Sequence, residues 1–210
     1  MKNVIVLLVV FLFSVNTFGS SPLEKAVDEF NKANDVNGFF ESLNNFERLI
    51  AMDSDNWISY YYAAFSLINI AMQSEVEKID EYCDKADYYL QKADNVNPDN
   101  SEIFCLKALS ATTRISVAPA SRGFQYVSKS NSHLGKAEAL DNSNPRVHYL
   151  KGMNTLNSPP VMGGGAKAAM PHFAKAVELY KTADATKDKL LPAWGHGNSK
   201  AILERIREQE

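Results

Sequence analysis

The sequence predicts an all-α protein built as a stack of helical hairpins, and three observations carry that prediction. The segments "YYYAAFSLI" (60–68), "FCLKALSAT" (104–112) and "HYLKGMNTL" (148–156) begin 44 residues apart, each with a small residue at its fifth position: Ala64, Ala108 and Gly152. The segments downstream, "ADYYLQKADNVNPDN" (86–100) and "SNSHLGKAEALDNSN" (130–144), align at the same offset and match Leu90 to Leu134 and Ala93 to Ala137. Apolar and small residues recur in both halves at helical spacing, so each unit is two helices whose axes approach closely at the small positions.

Taken in order, the elements are nine helices, at 22–34, 38–52, 55–73, 75–96, 99–116, 122–140, 145–157, 165–184 and 198–208. Punctuation between them supports this division. Ser74 with Glu77 has the form of a capping box, Asp99 or Asn100 can cap the fifth helix, and Ser121 the sixth. Asn144-Pro145 supplies a cap followed by a first-turn proline, and Asn198 or Ser199 is a candidate cap for the last helix. Cys83 and Cys105 fall on antiparallel neighbouring helices, displaced along the axis by roughly 10 Å at 1.5 Å per residue. That exceeds the reach of a disulfide, so two free, mostly buried thiols are expected.

The order aromatic, small residue, then Ala, large apolar residue, Ala and a helix-ending Pro resembles the tetratricopeptide repeat (TPR). Tyr60, Ala64, Ala86, Leu90, Ala93 and Pro98 match it best; Phe104, Ala108, Leu134 and Ala137 repeat it, and Gly152, Ala169, Phe173 and Ala176 repeat it again. The resemblance covers most of residues 23–181 and implies a TPR-like α-solenoid of about four helical pairs with a C-terminal capping helix. The units depart from the family's length of about 34 residues by about ten, Asn142 stands where the helix-ending Pro would be, and the first pair, with Phe46 and Leu49, fits weakly. The chain is also similar to exported TPR-like proteins of Gram-negative bacteria, partly through "ASRG" and "GGG".

The N-terminus has the three-part order of a secretory leader: Lys2, an apolar run from Val4 to Val15, and small residues at Thr17 and Gly19. Residues 1–19 are expected to be removed, leaving 20–210 as one exported helical repeat domain, in the periplasm or beyond it. The apolar run is shorter than the ~20 residues that span a bilayer. With 22 Lys and Arg against 25 Asp and Glu, nothing attracts nucleic acid. His133, His148, His172 and His196 show no paired-ligand spacing, and there is no CxxC or GxSxG. No metal, no cofactor and no enzymatic activity are therefore expected.

Every within-hairpin connection of such a stack falls on one edge. The residues around 69–80, "RISVAPASRG" (114–123) and "NSPPVMGGGA" (157–166) should lie side by side there. "GGGAKAAM" lacks the spacing and the hydroxyl of a phosphate-binding P-loop, so the triple glycine reads as a turn beside Pro159 and Pro160. Its alternative is a small-anion site on that edge, formed by Arg114, Arg122, Gly163, Gly164, Gly165 and Lys167.

In TPR-like folds the first helix of each pair lines a concave groove. Ile58, Tyr61, Phe65, Cys105, Leu109, Arg146, Tyr149 and Met153 take those positions and make it apolar and aromatic. They lack the Lys and Asn with which the family's chaperone-tail binders clamp a carboxylate. An apolar groove of this kind should be covered, either by the chain's own residues 190–206, with Leu190, Leu191, Trp194, Ile202, Leu203 and Ile206, or by a partner helix or extended peptide. The sequence thus points to a non-catalytic protein- or peptide-binding scaffold of the cell envelope, with a small-anion binder or enzyme on the loop edge as the alternative.

Overall fold

The computed structural model describes residues 20–185 and 188–208. The expected leader, residues 1–19, lies outside them. Among the described residues the chain forms nine α-helices: α1 (Pro22–Lys32), α2 (Val36–Met52), α3 (Trp57–Met72), α4 (Val76–Val96), α5 (Ser101–Thr113), α6 (Pro119–Leu140), α7 (Pro145–Asn157), α8 (Ala166–Ala185) and α9 (His196–Arg207). Short 3-10 turns at Arg114–Val117 and Pro160–Met162 join α5 to α6 and α7 to α8. Successive helices pack as antiparallel hairpins. The first helices α1, α3, α5 and α7 adjoin one another in space, and α2, α4, α6 and α8 back them.

The expected small positions are where helices close on each other. Ala64 and Ala108 are fully buried, and a Cβ on Gly152 would stand 2.9 Å from the Phe173 ring. Capping follows the same 44-residue beat. Asn56, Asn100 and Asn144 cap α3, α5 and α7, each side-chain oxygen accepting from backbone N–H groups of the first turn. Each such bond satisfies one of the donors that a helix start leaves open.

Three expected caps are corrected. Ser74 does not cap α4; its hydroxyl donates back to the Ile70 carbonyl at 2.7 Å, closing the end of α3 instead. The sixth helix starts before Ser121, at Pro119, whose fixed φ suits the first turn. Likewise α9 starts at His196, after Gly195 in the left-handed region at φ 102°, and Ser199 lies inside it with its hydroxyl on the Gly195 carbonyl. Much of the repeat's extra length goes into long outer helices, 21 residues in α4 and 22 in α6. Both cysteines are free and buried, as the helix register requires; burial pushes the Cys83 thiol up to about 11.

Candidate functional site

Residues 188–195 do not pass directly from α8 to α9. They run as a strap into the concave groove, and Trp194 sits at its centre. The Trp194 indole N–H donates to the Tyr61 hydroxyl at 3.0 Å. Its ring lies 5.3 Å from the Phe65 ring, 6.1 Å from Tyr149 and 5.4 Å from the Arg146 guanidinium. The strap is anchored on its backbone as well: Arg146 donates to the Pro192 carbonyl, and Tyr180 donates to the Trp194 carbonyl at 3.0 Å. Gly195 is required there, because it has positive φ and a Cβ would strike the Tyr180 hydroxyl.

Beneath the strap lies an ion pair. Arg146, 7% exposed, donates to Glu102 at 2.9 Å, and Asn144 donates to the same carboxylate oxygen at 2.9 Å. Burial pushes the Glu102 carboxyl above the usual carboxylate range against the pull of Arg146. It also pushes the Tyr61 phenol well above its ordinary value, so Tyr61 is a neutral hydrogen-bonding group at any physiological pH.

Four of the eight residues assigned to the groove, Tyr61, Phe65, Arg146 and Tyr149, therefore meet in one place and are covered by the chain itself. Leu109 packs between the first two core clusters beside Trp194. Ile58 belongs to the first cluster, and Met153 packs with Phe173, Leu203 and Ile206 under α9. The centre of the groove is thus not open to an external peptide.

Open space remains on both sides of the strap: a polar cavity of 340 Å³ reaches Glu102, Asn144, Arg146, Leu191 and Pro192, and an aromatic one lies on the N-terminal side. A cleft of 480 Å³ is lined by Phe30, Asn31, Ala33, Phe39, Phe65, Asn69, Ala193 and Trp194. Its rings are set close: Phe30 is 5.0 Å from Phe65 and 5.7 Å from Phe39. Asn69 donates to the Phe65 carbonyl at 2.8 Å. The lining offers aromatic surface and two amides, and no His, Cys or Met side chain.

The small-anion site on the loop edge is corrected. Arg114 is buried among Asp80, Asp84 and Asp87, at 2.9 Å from Asp84 and 2.8 Å from Asp87. Arg122 reaches the Asp80 carboxylate at 2.8 Å. Arg114 fastens the turn at Arg114–Val117 to α4, and Arg122 ties α6 to the same helix through Asp80. Gly163, Gly164 and Gly165 form a tight turn, with Gly163 and Gly165 at positive φ and Gly164 against the Ser158 carbonyl, where a Cβ would collide. Lys167 follows in the first turn of α8.

Phe30, Phe39 and Asn69 are not singled out by the sequence. The first two sit on the hairpin that fits the repeat least well, and their meeting with Trp194 joins residues more than 150 apart in the chain.

No protein-family model and no curated protein matches the chain. Among solved structures it is similar to the HusA haemophore from Porphyromonas gingivalis, at 27% identity and TM-score 0.81, over 89% of this chain and 92% of that one. It is also similar to TTC0263, a thermophilic TPR protein of Thermus thermophilus, at 18% identity and TM-score 0.60, over 88% and 82%. The fold is a TPR-like helical repeat.

Proposed function

We propose that this chain is a non-catalytic binder whose concave cleft takes a flat, apolar, ring-shaped ligand of the haem type. The observation that carries the reading is the cleft itself: four aromatic side chains, Phe30, Phe39, Phe65 and Trp194, around 480 Å³ of open space. That volume lies within the range of about 300–1,000 Å³ found for small-molecule sites. Aromatic rings favour stacked or edge-on contact with a conjugated ligand, and Asn31 and Asn69 give the lining its polar groups. The likeness to a haemophore over nine-tenths of both chains supports the same ligand class. With no His, Cys or Met in the lining, affinity rests on stacking and burial.

A peptide scaffold would need the groove that Trp194 already fills. Export of the mature chain fits a carrier that meets its ligand outside the cytoplasm, and the leader-like N-terminus supports it.

Titration of the chain with haemin, followed calorimetrically and by the Soret band, tests the reading. The expected result is saturable one-to-one binding, lost in Asn69→Trp, which fills the cleft from a partly exposed position and leaves the melting temperature close to wild type. Equal binding by the filled variant contradicts it.

A further inference from the structure

The strap separates two cavities of unlike chemistry. Ala193 and Trp194 line the aromatic cleft, while Leu191 and Pro192 wall the polar cavity of 340 Å³ together with Glu102, Asn144 and Arg146. The second cavity has no part in the binding proposed for the first.

Two polar atoms in its wall are unanswered. Glu102 Oε1 accepts from both Arg146 and Asn144 at 2.9 Å, whereas Oε2 is buried and accepts from nothing among the described residues. Arg146 gives its terminal nitrogens to Glu102 and to the Pro192 carbonyl, and its Nε–H, also buried, has no acceptor there. The guanidinium is held in place: Arg146 is 7% exposed, with the Tyr180 and Trp194 rings 5.7 and 5.4 Å away. Buried polar atoms are nearly always paired, and a charged group with an open position is the costly exception. The ion pair thus brings one open acceptor and one open donor to the same cavity.

These two atoms select the kind of ligand. A carboxylate or phosphate would answer Arg146 but lie against the carboxylates of Glu102 and Asp141. An ammonium would answer Glu102, leave the Nε–H unmet and set a second cation beside Arg146. A hydroxyl group both donates and accepts, so a neutral molecule carrying several can answer both atoms. Leu179, Leu191 and Pro192 supply apolar surface for its carbon skeleton, and the volume falls within the range of about 300–1,000 Å³ of small-molecule sites.

We propose that this cavity binds a neutral polyhydroxyl compound of monosaccharide size, with Glu102 Oε2 accepting from a hydroxyl and Arg146 Nε–H donating to one. Asn144 holds the carboxylate in position from its other oxygen, and the strap forms the lid-side wall through Leu191 and Pro192.

Nuclear magnetic resonance titration of the isotope-labelled chain from Ser20, which carries α1 to α9, tests the proposal. D-glucose, D-galactose, N-acetyl-D-glucosamine and myo-inositol are added in turn, with methylammonium and acetate as charged controls. At least one polyol should shift the Arg146 Nε–H resonance saturably, together with the backbone amides of Asn144 and Leu191, and neither control should. Leu191→Trp fills the cavity from a position 40% exposed and leaves the ion pair intact, so polyol affinity should fall at least tenfold with the melting temperature close to wild type. A response to none of the four polyols, a response to methylammonium or acetate instead, or wild-type affinity in Leu191→Trp overturns the proposal. So does a crystal structure grown with the polyols in which only ordered water meets Glu102 Oε2 and Arg146 Nε. Failure of haemin to bind bears only on the aromatic cleft.

Discussion

At the scale of single residues, Arg146 matters most. It is nine-tenths buried and joins three things: the Glu102 carboxylate, the Pro192 carbonyl and the Trp194 ring. Removing one member of a buried pair leaves the other charge without compensation, at a cost of about 3–5 kcal/mol. Arg146→Ala should therefore lower stability by that order in urea unfolding, and Trp194 emission should shift to the red as the strap loosens. Adding Glu102→Leu should recover much of the lost stability without restoring the emission. The histidines set a pH dependence. Burial, aided by Lys129 and Lys107, holds His133 below the usual histidine range, and burial with Lys151 does the same for His172. A histidine whose folded pKa is depressed contributes stability above its unfolded value of about 6.5, and loses it as pH falls toward the folded value. Stability should thus decline on acidification below about pH 6.5. His133→Gln with His172→Gln should flatten that decline, and an unchanged slope would contradict the assignment.

At the scale of elements, the hairpins are legible because the same requirements recur. A small residue is needed wherever two axes close, and Gly152 against Phe173 is the tightest case. Gly152→Ala should cost about 1–3 kcal/mol through overpacking, read as a lower melting temperature. Asn56, Asn100 and Asn144 repeat at the same interval, a signal present in the sequence and more regular than the Ser74, Ser121 and Asn198 or Ser199 caps expected from local pattern. A serine inside or ending a helix satisfies its hydroxyl on the carbonyl four residues back, as Ser74 and Ser199 do, so local pattern alone misplaces the cap. The sequence offers residues 190–206, Trp194 among them, as one cover for the groove, but not the path that the strap takes across it. Residues 188–195 have no helical period, and their path is set by distant partners: Tyr61 for the indole N–H, Arg146 and Tyr180 for the backbone. Trp194 is expected from the sequence to pack on the stack or over the groove, and its specific partners, Tyr61 and Phe65, are what the sequence does not give. Arg114 and Arg122 mislead because charge in a loop says nothing of what faces it across the hairpin, and here three aspartates of α4 do.

On the scale of the whole molecule, the repeat makes a stack whose inner face is mostly consumed by its own C-terminal segment, leaving one aromatic cleft open at the N-terminal end. The cleft beside Trp194 is the aromatic surface that results. Everything proposed for the cleft depends on its holding a flat conjugated ligand, and a crystal structure of the chain grown with haemin would show whether it does. The macrocycle is expected between α1, α3 and the strap, in contact with Phe39, Phe65 and Trp194, with Trp194 still bonded to Tyr61. Density for the macrocycle elsewhere on the molecule, with the cleft unchanged and empty, would refute the assignment.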